Sequence, residues 1–312
     1  MDHPPASTQA TAPAGVLRPV TAIILAGSRP GVDPLAQAAG VKTKALVPIA
    51  GRPMVDHVAR TLLAHPRIGT IILMAQEPEA LADHPQTQWL WDEPNIHFHA
   101  SGAGISQSLR DWMDAQGDGQ ANNGQLNNSL PALVTTADNV LLTGDMLDVF
   151  LARAMGADIA AAMVERNILM RAYPQSRRTW LKFRGGAWSG ANLFWLGGEG
   201  ARPALDKWRE IEQNRKKGWK IISAFGLKLL LGAALGLLTV EQAMAGAGRR
   251  LGVARARIIS MPMAEACIDA DKPDDIRLIE EIMARSPYAD GASPTEMGER
   301  PSAATTGPVG PS

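Results

Sequence analysis

The sequence predicts an α/β protein with a mostly parallel central sheet between two layers of helices, a three-layer α/β/α sandwich. Apolar segments at 22–25, 69–74 and 132–135 have the length and composition of buried strands. Residues 54–64, between the first two, carry apolar side chains at helical spacing. Because parallel strands need a crossover and a helix can supply one, this order indicates an open α/β sheet.

The two ends of the chain differ in composition from the middle. Residues 1–18 are rich in Pro, Ala, Ser and Thr, and residues 286–312 in Pro, Ser and Gly. Such segments cannot bury enough apolar surface to fold, so both are expected to be disordered tails. The 312 residues suffice for one large α/β domain or two small ones, and without an internal repeat we assign 19–285 to one domain.

The remaining elements follow from local signals. A helix is expected to begin near Ser106 or Ser108, either of which can act as its N-cap. Thr143 or Asp145 can cap another helix that runs to Leu151. Residues 166–178 are basic and show no regular period. Further expected strands are 96–99 at the sheet edge, 158–165, 180–184, 191–196 and 254–261, and further helices are 201–217, 221–238, 239–249 and one from Pro273.

Charge and cysteine content exclude several classes of protein. Lys plus Arg and Asp plus Glu both number 31, so no basic surplus marks a general nucleic-acid binder. A single cysteine, Cys267, excludes an internal disulfide and a multi-cysteine zinc site. The first residues lack the basic start and apolar core of a secretory signal. These features favour a cytoplasmic location.

A small-residue loop follows the first strand and is the first candidate site. Leu25, Ala26, Gly27 and Ser28 lead to Arg29, and Lys44 follows 15 positions later. Backbone N–H groups can approach an anion closely where side chains are small, and Arg and Lys supply charge. The pattern therefore predicts a polyphosphate site. Without G-K-[ST] it is no Walker-type loop, and the lack of G-x-G-x-x-G argues against a dinucleotide fold.

Asp138 follows the strand at 132–135, and the carboxyl end of a central strand borders the ligand crevice of an open α/β sheet. Three segments of the chain resemble signatures of the nucleotidyltransferase family that contains molybdenum-cofactor guanylyltransferase and the cytidylyltransferases. They are AIILAGSRPG with KALVPIAGRPM, then TTADNVLLT, then CIDADKPDDI. The first two segments contain Arg29, Lys44 and Asp138. The resemblance implies a glycosyltransferase-A-like, Rossmann-like fold over about 20–285. The chain departs from the family pattern in a long, altered loop before Lys44 and in Lys272.

The resemblance also implies roles for single residues. Arg29 and Lys44 would hold the triphosphate, with backbone N–H groups of the loop that contains Gly27 and Ser28. Asp138 would bind Mg²⁺, with Asp269 or else Asp271 as the second carboxylate. Gly102 and Ser108 would line the pocket for the nucleotide base. Each has a structural alternative, because Arg and Lys occur as solvated loop charges, and Asp and Ser cap helices and turns.

The chemistry suits these residue types. An acceptor phosphate would attack the α-phosphorus of an NTP and release pyrophosphate. Because both partners are anionic, Mg²⁺ on two carboxylates and the charges of Lys44 and Arg29 would reduce their repulsion. The Ser108 resemblance favours CTP, whereas likeness to the guanylyltransferase favours GTP. A sugar-nucleotide-dependent glycosyltransferase and a non-catalytic nucleotide-binding protein are the alternatives.

The second substrate would be a small phosphorylated acceptor, bound by about 166–250 as the resemblance implies. This part offers cations for a phosphate, and its Asn192 can also bind one; the cations are Arg171, Arg177, Arg178 and Lys182. Residues 219–238 join a basic cluster to a long apolar stretch. The first interpretation of that stretch is a core helix, and the alternative is a peripheral membrane contact.

Overall fold

The computed structural model of the protein describes residues 19–27, 31–102, 104–117, 130–212, 231–232 and 235–285. Both predicted tails, Ser28, Arg29 and most of the 219–238 segment therefore lie outside the described residues. The described part forms a mostly parallel sheet flanked by helices, which confirms the predicted fold class.

The first half of the chain builds one end of the sheet. Its strands are β1 (Val20–Leu25), β2 (Pro48–Ile49), β3 (Arg52–Pro53), β4 (Ile68–Ala75) and β5 (Ile96–Ala100), and its helices are α1 (Pro34–Ala39), α2 (Met54–Ala64), α3 (Glu79–Ala82), α4 (Trp89–Asp92) and α5 (Ile105–Gly117), with a short 3₁₀ turn at Lys44–Leu46.

The second half completes the sheet. Its strands are β6 (Ala132–Thr136), β7 (Ile159–Glu165), β8 (Leu181–Phe183), β9 (Gly186–Leu196) and β10 (Ala256–Ser260), and its helices are α6 (Gly144–Ala154), α7 (Arg166–Ala172), α8 (Arg202–Glu212), α9 (Val240–Arg250) and α10 (Pro273–Arg285), with 3₁₀ turns at Glu199–Ala201 and Ala264–Cys267.

The strand order places β1 near the centre of the sheet. The order is β5, β4, β1, β6, β9, β7, β10, with β8 paired to the start of β9. β1 runs parallel to both β4 and β6, and β7 runs parallel to β10. β9 runs antiparallel to β6 and β7. The chain crosses from β4 and β5 on one side of β1 to β6 on the other, so the sheet has a switch point between β1 and β6.

Both faces of the sheet are buried, as the apolar strands predict. Ala22 and Ile24 of β1 pack into the larger core, with α2 and α6, whereas Ile23 between them packs into a second core with α5 and α8. Neighbouring strand residues point to opposite faces, so a strand buried on both sides has to be apolar throughout. Cys267 is also buried.

Local capping explains where the structure agrees with the sequence signals and where it differs. Thr143 caps α6 through a hydrogen bond from the backbone N–H of Met146, as predicted. The N-cap prediction for Ser106 and Ser108 is wrong, because α5 already begins at Ile105. The segment expected to be irregular at 166–178 contains α7, a helix of only seven residues. None of the described helices is long and apolar enough to cross a membrane.

Gly197 follows the last residue of β9, where its backbone approaches the backbone of Ala157 closely. A Cβ at this position would overlap the carbonyl oxygen of Ala157, whereas a Cβ at Gly190 would have open space. We expect Gly197→Ala to lower the free energy of unfolding by about 3 kcal/mol, because backbone atoms have to shift to relieve the overlap. Denaturant unfolding measures this change, with Gly190→Ala as the matched control. Equal stability of the two variants would contradict the close approach.

Asp158, just before β7, binds Arg255, just before β10, and this contact gives stability that depends on pH. Its carboxylate accepts hydrogen bonds from the side chain and backbone N–H of Arg255, at 2.6 and 2.9 Å. The side-chain hydrogen bond is the main reason why the pKa of Asp158 lies below its ordinary 3.8. The stabilisation is therefore present above pH 3.8 and is lost as the pH falls through the lower folded-state pKa.

We accordingly expect Asp158→Asn to lower the thermal unfolding temperature near pH 6, and the difference from the wild type to shrink as the pH falls towards 3. Thermal melts across this range measure the effect. A constant difference at every pH would show that packing, rather than the charge of Asp158, supplies the stability.

Candidate active site

The carboxyl ends of β1 and β6 lie side by side and form the floor of the candidate site. Leu25 at the end of β1 pairs with Thr136 at the end of β6. The backbone N–H of Ala137 donates to the carbonyl of Leu25 at 3.0 Å, and that of Ala270 donates to the carbonyl of Asp138 at 3.1 Å. The segment after β10 is thus held against the turn after β6, which brings the second and third sequence signatures together.

Lys44 connects the three signatures. Its Nζ lies 2.6 Å from Oδ2 of Asp138 and 2.7 Å from Oδ1 of Asp271, which are 94 and 227 positions away in the sequence. Thr43 fixes the backbone beside it, because its side chain caps the 3₁₀ turn through the N–H of Ala45. The side chain of Lys44 is only 20% exposed, so its ammonium is held by these carboxylates rather than solvated in a loop.

Asp269 lies on the other side of Asp138 and has a cation of its own. The guanidinium of Arg178 binds its Oδ1, and the side-chain amide of Asn192 donates to its Oδ2 at 3.0 Å. The same amide is 3.4 Å from Oδ1 of Asp138. Asn192 therefore bridges the two carboxylates that the resemblance assigns to a metal.

Buried polar side chains hold Asn192 in place. The hydroxyl of Thr135 donates to the carbonyl oxygen of Asn192 at 2.8 Å, and the amide of Asn139 donates to the Thr135 hydroxyl at 3.1 Å. Thr135 and Asn139 are both buried. Asn139 follows Asp138 directly, yet it supports the backbone of β9 instead of adding a second acidic group to the turn.

Asp275 supports the site from the first turn of α10. Its Oδ2 accepts a hydrogen bond from the backbone N–H of Asp271 at 3.3 Å and lies 4.0 Å from Arg178. Lys272 lies 3.9 Å from its Oδ1. The residue that departs from the family pattern, Lys272, therefore adds a cation beside a buried carboxylate.

Burial and neighbouring charges shift the pKa values at the site in identifiable ways. Burial alone would lower the pKa of Lys44, but the carboxylates of Asp138 and Asp271 outweigh it, and the pKa is raised. The pKa of Asp269 is raised, mainly by burial and further by Asp271 and Asp138, while Arg178 opposes the rise. Lys44 is therefore cationic near neutral pH, and Arg178 is the partner that favours the ionised form of Asp269.

The donor set fits a Mg²⁺ ion held by two carboxylates. Among the residues that the structure describes, no group of three or more His, Cys, Asp or Glu side chains is placed to hold a metal. Asp138 and Asp269 nevertheless share Asn192, and carboxylate oxygens are the ligands that Mg²⁺ prefers, with water completing its shell. Asp271 is 61% exposed and contacts Lys44, so its position favours Asp269 as the second ligand.

The first loop is described only as far as Gly27. Leu25 and Ala26 lie at the end of β1, and the N–H of Ala26 donates to the carbonyl of Met74 at 2.8 Å. A Cβ on Gly27 would lie 3.1 Å from the side-chain amide of Gln76, so a small residue suits this close approach. Ser28 and Arg29 lie outside the described residues, and their roles stay predictions.

Gly102 and Ser108 lie beyond β5, at the same edge of the sheet. The N–H of Gly102 donates to the hydroxyl of Ser108 at 2.9 Å, and that hydroxyl donates to the carbonyl of Gly104 at 2.9 Å. Ser108 is buried. Its hydroxyl therefore shapes the loop between β5 and α5, and its assignment to a base pocket stays a prediction.

Sequence reasoning missed the pairing of Asp269 with Arg178 and the bridging position of Asn192. Arg178 and Asn192 were predicted as candidate groups for the acceptor phosphate and were not connected to the carboxylates assigned to the metal. Arg178 and Asn192 lie 91 and 77 positions before Asp269, and no local pattern specifies contacts over such separations. The one available signal was the polar Asn192 inside an apolar strand, where a buried amide requires hydrogen-bond partners.

Comparison with known proteins gives a family for most of the chain. Residues 22–224 match the model of the MobA-like NTP transferase domain. No protein with a curated description matches the sequence. A solved structure described as a hypothetical transferase from Thermus thermophilus is 27% identical, with a TM-score of 0.65 over 83% of this chain and 100% of that one.

Two more distant structures share the fold. One is 4-diphosphocytidyl-2C-methyl-D-erythritol synthase from Anaerococcus prevotii, at 9% identity and a TM-score of 0.50 over 86% of this chain and 97% of that one. Another structure of a synthase with that name is 13% identical, with a TM-score of 0.50 over 86% and 100%. At these identities the likeness concerns the architecture alone.

Proposed function

The chain belongs to the family of MobA-like NTP transferase domains and is a nucleotidyltransferase, and from this premise we propose a specific reaction. The protein couples CTP or GTP to a small phosphorylated acceptor and releases pyrophosphate, with Mg²⁺ as cofactor. The product is an acceptor activated by a nucleoside diphosphate link. The cytoplasm, where NTPs are abundant, is the proposed location.

One observation carries this proposal. Lys44, Asp138 and Asp271 come from three distant segments and meet within hydrogen-bond distance at the switch point of the sheet. Ligands of open α/β sheets bind at that point. A cation flanked by carboxylates at this position supports the binding of a metal-complexed triphosphate, because the cation attracts the phosphates and the carboxylates attract the metal.

The chain's own residues would act mainly through charge and position. An oxygen of the acceptor phosphate forms a bond to the α-phosphorus of the NTP. The bond from that phosphorus to the oxygen bridging to the β-phosphate breaks, and pyrophosphate leaves with the electron pair. Lys44 would stabilise the charge that develops on this leaving group, and Arg29 is expected to assist it.

Asp138 and Asp269 would hold the metal, which when bound neutralises charge on the α-phosphate. Asn192 would keep the two carboxylates at a fixed separation through its contacts with both. No protein nucleophile or general base is needed, since a phosphate monoester is already largely ionised near neutral pH.

A pyrophosphate-release screen tests this proposal. CTP, GTP, ATP and UTP would each be incubated with Mg²⁺ and with phosphates of sugars, polyols, pterins or lipid head groups. We expect release only when one nucleotide and one acceptor class are both present, and loss of release when the metal is chelated. Sugar transfer from a sugar nucleotide, without pyrophosphate release, would instead identify a glycosyltransferase.

A glycosyltransferase of the same fold normally carries an Asp-x-Asp pair at this turn, and the chain lacks that pair. Asp138 is followed by Asn139, whose side chain is buried against Thr135, and then by Val140, so the second acid of an Asp-x-Asp pair is absent. The screen identifies the base, because only the nucleotide that the protein uses supports pyrophosphate release.

A further inference from the structure

A polar cleft opens beside the candidate site, between the loop after α7 and the first turns of α10. Its volume is about 280 Å³, and its lining includes Ser176, Arg177, Lys272 and Leu278. It also includes Asp275, which contacts Arg178 and the backbone of Asp271. Asp275 therefore links the cleft to Arg178 and Asp271 of the candidate site.

Most charges along the cleft are already balanced, and Arg177 is the exception. Arg277 is paired with Asp274, Glu281 lies 3.6 Å from Arg285, and Lys272 lies 3.9 Å from Asp275. The guanidinium of Arg177 forms no ion pair within the described ranges of the chain. One uncompensated guanidinium, with its fork of donors, suits an anionic ligand such as a phosphate.

Two neutral features of the lining favour a polar ligand. The hydroxyl of Ser176 is buried and has no hydrogen-bond partner among the described residues. Buried hydroxyls are usually paired, so a ligand oxygen or a water is expected to fill this role. Leu278 is the one apolar residue of the lining as far as the structure describes it, so a polar, hydroxyl-rich ligand fits the cleft better than an acyl chain or a flat ring.

We propose that this cleft, called the Arg177 cleft below, binds the acceptor, and that the acceptor is a small, hydroxyl-rich phosphate monoester, such as a sugar or polyol phosphate. The inference rests on the proposed function, because it assigns the second substrate of that reaction. Arg177 binds the anionic acceptor, Ser176 and Gln175 contact its hydroxyls, and Arg178, the next residue, connects the cleft to Asp269.

Direct binding tests the cleft independently of turnover. Isothermal titration calorimetry of the full chain with glycerol 3-phosphate and with glucose 1-phosphate gives the dissociation constants. We expect at least one of these esters to bind, and glycerol and glucose to bind far more weakly. Arg177→Ala should weaken binding of that ester about 10- to 100-fold, the usual cost of losing a hydrogen bond to a charged group.

Two further variants sharpen the result. Arg257→Ala removes an exposed arginine of β10 outside the cleft and should leave binding unchanged. Arg177→Lys retains the charge and should recover part of the affinity. In turnover assays, Arg177→Ala should raise the KM for the acceptor about tenfold or more and leave the KM for the NTP nearly unchanged.

The outcomes separate this inference from the proposed function. Undiminished binding of every phosphate ester by Arg177→Ala would overturn the cleft assignment, as would turnover only with vesicles that contain phosphatidic acid or with a pterin phosphate. Arg177-dependent binding of an ester without pyrophosphate release from any NTP would overturn the reaction and, with it, the role of the ligand as acceptor. Sugar-phosphate-dependent release that is lost in Arg177→Ala would support both.

Discussion

Replacing Asp138 with Asn should reduce pyrophosphate release about 100- to 1000-fold, the cost of removing one electrostatic contact to a developing charge. The substitution keeps the shape of the side chain but removes its negative charge. In the structure that charge lies 2.6 Å from Lys44 and faces Asp269 across the amide of Asn192. A neutral amide would weaken metal binding and leave Lys44 with Asp271 alone.

Steady-state assays at saturating NTP measure the effect, and Mn²⁺ titration followed by electron paramagnetic resonance measures metal affinity directly. Asp145→Asn, the same change at an exposed position in the first turn of α6, is the matched control and should retain full activity. Circular dichroism establishes that both variants fold. Near-normal pyrophosphate release by Asp138→Asn with every nucleotide would rule out the proposed reaction.

Replacing Lys44 with Met should lower kcat/KM for the NTP about 100-fold or more, while metal binding is retained. Met preserves most of the length of the side chain but cannot neutralise a phosphate. The loss should appear in both kcat and KM, because the lysine would contact the phosphates in the bound state and stabilise the leaving group in the transition state. Lys44→Arg should recover part of the activity.

The control for this variant is close in sequence. Lys42→Met removes an exposed lysine whose ammonium is 3.2 Å from Asp83. Exposed ion pairs contribute little, so this change should leave kinetics and stability nearly unaltered. Equal losses in Lys42→Met and Lys44→Met would show that the segment contributes general charge rather than a specific contact.

The central strands and two of the site residues could be predicted from the sequence because their signals are local. Apolar runs of strand length identified β1, β4 and β6, and an aspartate after a central strand has to lie at the carboxyl edge of the sheet. Lys44 was identified through the segment around it. The structure then supplied what no local signal contains, namely that Lys44 contacts both Asp138 and Asp271.

The contacts of Arg178, Asn192 and Asp275 could not be predicted in the same way. Each depends on how β9, the loop after α7 and α10 approach the edge of the sheet, and those approaches are set by packing across the whole domain. For Ser108, by contrast, a local signal was present but predicted the wrong role. A serine near a glycine-containing loop indicated an N-cap, but α5 starts one turn earlier and turns its hydroxyl back onto the loop.

The balance of charge around Asp138 has a consequence for the protein in the absence of its ligands. Each acidic group of the site already has a cationic neighbour from the chain itself; the acidic groups are Asp138, Asp269, Asp271 and Asp275, and the cations are Lys44, Arg178 and Lys272. Because these charges are balanced within the chain, we expect the fold to form without bound metal or nucleotide. If the proposed metal is required, its depletion should stop turnover reversibly and leave the thermal unfolding temperature nearly unchanged.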